Sequence, residues 1–297
     1  MALNMASFRT RALTAVVFVL VMAAGMLWSG WGFLLLVSVI HFGCWIEYQK
    51  LLSKIDAGYQ NISGFHRYLV MLAGWLIVLS ATHREIGPWR MGDWMLSELA
   101  WWPMWLLLVL VFAEPVFNKK LKWKNLAHSI MGLVYISLTL AAFVNIAPTV
   151  VNAWAETWFQ SWMWFMPAIV IATMWVNDTM AYIVGSLIGK RQLSPISPKK
   201  TWEGTIGGII LAAVIVGLLL NTKVENAVVA FLVPLLMAIA GTVGDLFESK
   251  LKRLAGVKDS GSIMPGHGGF LDRFDSLLFA APAAWIILTV YDAISNY

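Results

Sequence analysis

The chain has 297 residues, of which 60% are apolar and 12% are charged. Soluble domains are about 45–50% apolar and about 25% charged, so this chain has too few polar side chains to cover a water-facing surface. A cytoplasmic globular protein and a disordered chain are both excluded, and an integral membrane protein is indicated. The single cysteine, Cys44, cannot form an internal disulfide or a cysteine metal cluster.

Nine mainly apolar stretches are read as membrane-spanning helices, each of which needs about 20 residues. In chain order they cover residues 12–28, 31–48, 68–82, 99–117, 126–147, 158–188, 205–220, 226–246 and 270–294. The first stretch imitates a secretory signal, but a second follows at once and no clear small-residue cleavage site separates them. We therefore expect an all-α polytopic membrane protein whose first helix is retained.

Lysines and arginines are unevenly divided between alternate loops. One set of loops holds 18 of the 21 basic residues, and the other holds only Arg84, Arg90 and Lys223. Because basic residues accumulate in cytoplasmic loops, the N-terminus is predicted to be cytoplasmic and the C-terminus outside. The basic face can attract membrane lipids and anionic cytosolic ligands. No nucleic-acid partner is expected, since no basic stripe with interleaved aromatic residues lies outside the membrane-flanking loops.

The predicted cytoplasmic loop 189–204 carries the first of two unusual polar segments. Two Ser-Pro pairs at 194–195 and 197–198 favour extended or turn backbone, and Lys199-Lys200-Thr201 follows at a predicted helix start. A helix N-terminus beside lysines is a natural phosphate site, because free N–H groups and ammonium charges meet at one anion. The same residues also suit a solvated basic loop with a threonine cap.

The second unusual segment, residues 245–275, holds five acidic and five basic groups within 31 residues. Asp245 and Glu248 lie three residues apart at the end of one predicted helix, and Asp272 and Asp275 do so at the start of the next. Carboxylates from two sides are the ligands that Mg²⁺ prefers, with substrate phosphates completing its coordination. A network of ion pairs between the helices is the alternative.

A glycine-rich turn, residues 266–269, lies within this segment. Its glycines would let backbone N–H groups approach an anion closely. His267 in this turn suits a phosphate donor, an acid that assists a leaving group, or an ordinary loop histidine.

Asp178 lies inside the sixth apolar stretch. An unneutralised carboxylate there costs about 2.5–3.5 kcal/mol, so it is predicted to face a wet cavity or a cation. Gly185 and Gly189 follow as a small-residue edge that permits close helix packing. Three other polar residues near spans are given ordinary roles: Glu47 and Glu114 as interfacial pair partners, and His41 in core packing.

The polar segments together resemble the signature of the phosphatidate cytidylyltransferases, also called CDP-diacylglycerol synthases. The match comprises residues 249–253, Lys258-Asp259 and 265–275, and residues 178–182 and 197–204 resemble further stretches of that family. Met264 departs from the usual Leu, Ile or Phe, a volume-conserving change. The similarity covers about the C-terminal 120 residues, whereas the N-terminal part resembles the family only as a stack of apolar helices.

The resemblance implies transfer of the cytidylyl group of CTP to phosphatidic acid, giving CDP-diacylglycerol and pyrophosphate for phospholipid biosynthesis. It implies Mg²⁺ as cofactor, with a monovalent cation such as K⁺ alongside, and a bacterial inner membrane with the active site on its cytoplasmic face. Residues 1–150 are expected to form a helical scaffold with lipid access and a possible homodimer contact. Residues 151–297 are expected to form the catalytic region with cytoplasmic loops 189–204 and 247–269.

The resemblance also implies roles for individual residues. Catalytic roles fall to Asp245, Asp272, Lys258, His267 and Arg273; metal ligation to Asp245, Asp272, Glu248 and Asp275; and substrate binding to Asp178, Ser197, Lys199, Lys200, Lys252, Arg253, Asp259, Gly268 and Gly269.

Two other functions remain open at this point. A CTP-dependent lipid-alcohol kinase would also need carboxylates, lysines and phosphate turns, and it would release CDP instead of pyrophosphate. A transporter or channel would use Asp178 and Asp245 on an ion path. The absence of a clear inverted repeat and the concentration of charge on one face disfavour the transporter.

Overall fold

The structure is a computed structural model that describes residues 5–82, 90–118, 121–154, 165–222, 226–263 and 268–295. Helices dominate these residues, because in hydrocarbon a helix satisfies its backbone N–H and C=O groups within one segment. The helices are α1 (Met5–Leu27), α2 (Gly30–Ile55), α3 (Ala57–Gln60), α4 (Gly64–Ser80), α5 (Leu96–Phe117), α6 (Trp123–Gly132), a π-helical turn (Leu133–Leu138), α7 (Thr139–Trp154), α8 (Phe165–Ile188), α9 (Trp202–Asn221), α10 (Ala227–Leu254) and α11 (Leu271–Ser295).

Seven helices in the described ranges are long and apolar enough to cross a membrane. They are Gly30–Ile55, Leu96–Phe117, Trp123–Ile146, Met166–Ile188, Trp202–Asn221, Ala227–Leu254 and Leu271–Tyr291. Two shorter apolar helices, Leu13–Leu27 and Gly64–Ser80, complete the set. These nine helices match the nine predicted stretches, of which residues 158–164 lie outside the described residues, so the all-helical polytopic class is confirmed. The orientation of the termini stays a prediction.

Two short β-hairpins accompany the helices, and the prediction of an all-α protein did not include them. Strand β1 (Arg90–Met91) pairs with β2 (Trp94–Met95), and β3 (Gln192–Ser194) pairs with β4 (Ser197–Thr201). Strands of two to five residues are too short to show an alternating apolar pattern. Gly92 in the first hairpin turn has φ +64°, which a glycine adopts without a Cβ clash.

The chain forms two compact units. Unit 1 comprises Met1–Val144 and Leu251–Phe274, and unit 2 comprises Asn145–Lys250 and Asp275–Tyr297. The expected functional division into residues 1–150 and 151–297 stays a prediction.

Unit 1 is built around α2, which contacts α1, α4 and the π-helical turn. Several polar side chains inside its core are hydrogen bonded to one another. The Nε2 atom of His41 lies 3.0 Å from Ser137 Oγ, and His66 Nδ1 lies 2.6 Å from Glu114 Oε2. Core packing of His41 and pairing of Glu114 are therefore confirmed.

Unit 2 contains the close packing of α8 on α9. A Cβ added at Gly204 would lie 2.8 Å from Gly185 Cα, and one added at Gly208 would lie 2.7 Å from Ala181 Cβ. Hydrogen in place of a side chain at these positions therefore lets the two backbones approach each other. The small-residue edge predicted at Gly185 is confirmed as a helix contact.

Candidate active site

The β3–β4 hairpin places two lysines at the start of α9. Strand β4 runs through Lys199 and Lys200 to Thr201, whose Oγ1 accepts a hydrogen bond from Gly204 N at 3.1 Å and so caps α9. Glu203 Oε2 accepts the backbone N–H groups of Lys190 and Arg191 at 3.1 and 3.2 Å, which ties the hairpin to the helix. The extended backbone and helix start predicted for this loop are confirmed.

A cavity of about 410 Å³ opens in unit 2 beside this helix start. Residues of α8, β4, α9 and α10 line it: Asn177, Asp178, Ala181, Tyr182, Gly185, Ser186, Lys199, Lys200, Thr201, Thr205, Thr242 and Asp245. Four of the predicted site residues thus meet at one cavity, namely Asp178, Lys199, Lys200 and Asp245. The expectation that Asp178 faces a cavity is confirmed.

Lys200 and Asp245 form an ion pair in the cavity, joining Lys200 Nζ to Asp245 Oδ2. Their side chains are 30% and 20% exposed, so the pair is partly screened from water. The other carboxylate oxygen of Asp245 accepts a hydrogen bond from Ser249 Oγ at 3.3 Å. Lys199 and Asp178 are exposed. The cavity therefore offers both cationic groups for phosphates and carboxylates for a cation.

Asn177 is a cavity residue to which sequence reasoning gave no role. Its side chain is only 3% exposed, and its Oδ1 atom has no hydrogen-bond partner among the described residues. An unsatisfied buried acceptor costs about 1–3 kcal/mol, so a ligand that donates a hydrogen bond would relieve this cost. The signal in the sequence is an asparagine inside an apolar stretch, next to Asp178.

A second polar cluster lies in unit 1 around Asp272. Asp272 Oδ1 lies 2.6 Å from Lys252 Nζ. Asp272 Oδ2 accepts hydrogen bonds from Ser260 N at 2.9 Å, Ser260 Oγ at 2.9 Å and Gly269 N at 2.8 Å. The predicted neighbours Lys252, Gly269 and Asp272 are therefore brought together. Each carboxylate oxygen of Asp272 has a donor in this arrangement.

The glycine turn next to Asp272 approaches a protein carboxylate. Gly268 has φ +83°, and a Cβ there would lie 2.6 Å from Asp272 Oδ2. The turn backbone therefore approaches an anion closely, as predicted, and that anion is the carboxylate of Asp272. A phosphate role for Gly268 and Gly269 stays a prediction, and His267 lies outside the described residues.

Glu47 completes the unit 1 cluster, and its predicted role as an interfacial pair partner is wrong. The side chain is 1% exposed, and its carboxylate accepts hydrogen bonds from Ser260 Oγ and from the backbone N–H groups of Phe270 and Leu271. Backbone and hydroxyl donors thus replace the expected cation. Only the occurrence of a glutamate inside an apolar stretch signals this role in the sequence.

The remaining predicted site residues fall into three groups. Arg253, Lys258, Asp259 and Arg273 are exposed, Ser197 and Asp275 are half-buried, and Glu248 is fully buried. Asp275 Oδ1 accepts the backbone N–H of Ser276 at 2.6 Å. The exposed basic groups are accessible to an anionic ligand from solution.

The carboxylates fit a hard divalent cation when substrate completes the coordination. The described residues contain no cluster of three or more His, Cys, Asp or Glu side chains that could hold a metal by themselves. Mg²⁺ needs no such cluster, since it is commonly bound by one or two carboxylates, waters and substrate phosphates. Asp178, Asp245 and the amide oxygen of Asn177 supply oxygen donors in the unit 2 cavity, so the donor chemistry fits.

The fold and these clusters define a polytopic membrane protein with lysines and carboxylates at one cavity. The model of the cytidylyltransferase family matches residues 9–291. The chain therefore belongs to the cytidylyltransferase family, and the resemblance seen in its sequence is confirmed.

Bacterial relatives match over nearly their whole length. A phosphatidate cytidylyltransferase of Staphylococcus aureus strain COL is 31% identical over 284 residues, which cover 94% of this chain and 98% of the relative. Phosphatidate cytidylyltransferases of Staphylococcus saprophyticus and Staphylococcus epidermidis are each 32% identical, with the same shares of the two chains covered. The chain is thus similar to these enzymes well beyond the signature segment.

Proposed function

We propose that the protein transfers the cytidylyl group of CTP to phosphatidic acid, forming CDP-diacylglycerol and releasing pyrophosphate. The observation that carries the proposal is the cavity where Lys199 and Lys200 meet Asp245, in a chain related over its length to phosphatidate cytidylyltransferases. Its setting would be the cytoplasmic face of a bacterial inner membrane.

The nucleophile in this reaction is an oxygen of the lipid phosphate, which attacks the α-phosphorus of CTP. That oxygen is already anionic at neutral pH, so it needs alignment and relief of anion repulsion more than a strong base. The P–O bond between the α-phosphorus and the bridging oxygen to the β-phosphorus breaks, and pyrophosphate leaves with that electron pair. The site must therefore hold several phosphate charges close together.

Lys199 and Lys200, beside the start of α9, would hold phosphates in unit 2. Their ammonium groups would neutralise phosphate charge, whereas the N–H groups of Trp202 and Gly204 already bond Arg191 O and Thr201 Oγ1. Lys200, which pairs with Asp245 in the structure, would bind a phosphate, and Asp245 would be a candidate ligand for Mg²⁺. Asn177 would donate or accept a hydrogen bond at the inner wall of the cavity, where its Oδ1 atom has no protein donor among the described residues.

Mg²⁺ would supply further neutralisation of phosphate charge, and a monovalent cation such as K⁺ would accompany it. Asp245 is the first candidate ligand in unit 2, with Asp178, Glu248 and Asp275 in support. In unit 1, Asp272 is a further candidate, since the single amine on its Oδ1 atom can give way to another cation. These carboxylates would hold the ion beside the substrate phosphates.

The exposed basic residues Arg253, Lys258 and Arg273 would bind phosphates of CTP and lipid. The glycine turn with His267, Gly268 and Gly269 would hold the departing pyrophosphate, and Ser197, Lys252 and Asp259 would also contact substrate. A homodimer is compatible with the apolar outer faces of the helices.

The proposal is tested with purified protein in micelles that contain phosphatidic acid, to which CTP and Mg²⁺ are added. We expect equal amounts of pyrophosphate and CDP-lipid, and no reaction without the lipid. Release of CDP with a phosphorylated lipid alcohol would identify a kinase instead. A folded preparation that yields neither pair of products contradicts both enzymatic functions.

A further inference from the structure

We propose that Glu47 is a positioning residue, which holds the start of α11 and thereby sets the position of Asp272 for the reaction. The catalytic part of this inference rests on the proposed function. Its geometric part, that a carboxylate from α2 fixes the first turn of α11, stands on the structure of unit 1.

Phe270 is the N-cap residue of α11, and it cannot cap the helix with its own side chain. Its carbonyl oxygen accepts the hydrogen bonds from Arg273 N and Phe274 N that open the helix. N-cap positions favour Ser, Thr, Asp or Asn, whose side chains satisfy the free N–H groups of the first turn. A phenyl ring has no such acceptor, so the acceptor must come from elsewhere in the chain.

Glu47 and Ser260 supply these acceptors, since Ser260 Oγ accepts the backbone N–H of Asp272 at 3.3 Å and Glu47 accepts the two N–H groups before it. Its Oε1 atom accepts the backbone N–H of Phe270 at 2.9 Å, and its Oε2 atom accepts that of Leu271 at 2.9 Å. A negative charge at a helix N-terminus is also favoured by the helix dipole. Both oxygens of this buried carboxylate are thus directed at one helix start, more than 220 residues further along the chain.

Ser260 links Glu47 to Asp272. The hydroxyl oxygen of Ser260 lies 2.7 Å from Glu47 Oε2 and 2.9 Å from Asp272 Oδ2. A hydroxyl has one proton, so it donates to one carboxylate at a time. The two carboxylates are therefore coupled through one shared donor, and a change at Glu47 reaches Asp272 through Ser260.

Glycines make room for the Glu47 carboxylate on two sides. A Cβ added at Gly261 or at Gly269 would collide with its oxygens. One turn before Glu47 on α2, a Cβ at Gly43 would likewise collide with the ring of Phe270. The position of the carboxylate is therefore set by close packing as well as by hydrogen bonds, as a positioning role requires.

Replacing Glu47 by Gln tests the proposal because Gln keeps the shape and loses the charge. The amide nitrogen of Gln would replace one carboxylate oxygen and would face a backbone N–H group. Two donors would then face each other, and that hydrogen bond would be lost. The matched control is Glu114→Gln, which changes another carboxylate of unit 1 that binds His66 instead of the α11 start. Ser260→Ala is a milder second variant that keeps Glu47 and removes only the shared hydroxyl.

Two measurements on full-length protein in micelles separate positioning from simple stabilisation. The first is hydrogen–deuterium exchange of peptides covering residues 268–274 without nucleotide or added metal. We expect faster exchange there in Glu47→Gln than in wild type or Glu114→Gln. The second is the Mg²⁺ concentration for half-maximal CDP-lipid formation, which we expect to rise about tenfold in Glu47→Gln, as for other partners of metal ligands, and less in Ser260→Ala.

Loss of folded protein alone would lower the rate without moving the Mg²⁺ half-saturation point. That result, or unchanged exchange at 268–274 in Glu47→Gln, overturns the proposal. If Glu47→Gln does not fold, an unchanged half-saturation point in Ser260→Ala overturns it. A wild-type protein that makes no CDP-lipid overturns the proposed function instead, and the exchange data alone then decide whether Glu47 holds the helix start.

Discussion

Lys200 and Asp245 are ion-paired within the unit 2 cavity, although 45 residues separate them in the chain. Each is the kind of group that a nucleotide–metal complex requires, since the lysine matches a phosphate and the carboxylate matches a cation. The pair keeps both charges compensated, which a partly buried site needs. In the proposed reaction Lys200 would bind a phosphate, and Asp245 would be a ligand for the cation.

Asp245→Asn is expected to lower turnover by about 10²–10³, the usual loss when one charged group of a preorganised site is removed. The shape of the side chain stays, so the protein should remain folded. Pyrophosphate release measures turnover, and Asp93→Asn in the exposed β1–β2 turn is the control. Near-normal turnover in Asp245→Asn would remove this residue from the proposed site.

Lys200→Gln is expected to raise the KM for CTP more than it lowers kcat. A charge-assisted hydrogen bond contributes about 1.5–3 kcal/mol, which corresponds to about 10–150-fold in affinity. Initial rates over a range of CTP concentrations give both constants. An effect on kcat alone would mean that Lys200 does not bind CTP before the reaction.

Asn177→Leu is expected to separate stability from function. Leucine has nearly the shape of asparagine, and it removes the buried Oδ1 atom that has no hydrogen-bond partner among the described residues. Stability should stay equal or rise, because an unsatisfied acceptor costs about 1–3 kcal/mol. Thermal unfolding and the KM for CTP are measured on the same preparation. A loss of stability with unchanged KM would mean that Asn177 serves the fold and not the ligand.

Gly269→Ala is expected to destabilise the protein by about 1–3 kcal/mol, the typical result of overpacking. The new methyl group would collide with the Glu47 carboxylate. Gly64→Ala is the matched control, since a Cβ there meets no atom within 4 Å. Thermal unfolding of the two variants gives the comparison, and equal transitions would contradict the tight packing at Glu47.

Asp56 gives a prediction about pH. Hydrogen bonds from Lys124 Nζ and Gly58 N hold the pKa of this carboxyl at about 2, below its ordinary 3.8. The folded state therefore favours the charged form, so the stabilisation is complete above pH 3.8 and is lost as the pH falls towards 2. Asp56→Asn should lower the unfolding temperature near neutral pH and remove the loss of stability that Asp56 causes between pH 3.8 and 2. Thermal unfolding between pH 2 and 7 checks both effects. If the variant loses the same stability over this pH range, another group causes the loss.

The spans and the start of α9 could be predicted because their signals are local. A run of apolar residues identifies a span wherever the rest of the chain lies. The two Ser-Pro pairs and Thr201 likewise act on their own neighbours, and strand β4 and the helix cap follow from them. The predictions of the membrane class and of the loop that carries the lysines were correct for this reason.

The partners of individual charged groups could not be predicted in the same way. The sequence contains several lysines that could pair with Asp245, and only the fold, which brings strand β4 to α10, selects Lys200. Glu47 shows the same limit more strongly, because its donors lie on Phe270 and Leu271. No periodicity connects positions so far apart. A glutamate at the end of a span therefore suggested a surface pair, whereas the fold gives it backbone donors.

The same separation has a consequence for how the protein is made. Glu47 leaves the ribosome 223 residues before Phe270, which is roughly 10–45 s at about 5–20 residues per second. Throughout that interval the carboxylate, near the end of the predicted span 31–48, lacks the helix start that later receives it, and an unpaired charge in or near a span is costly. Water or the insertion machinery must solvate the carboxylate until α11 arrives, so the last helix completes the burial of a charge carried in by one of the first.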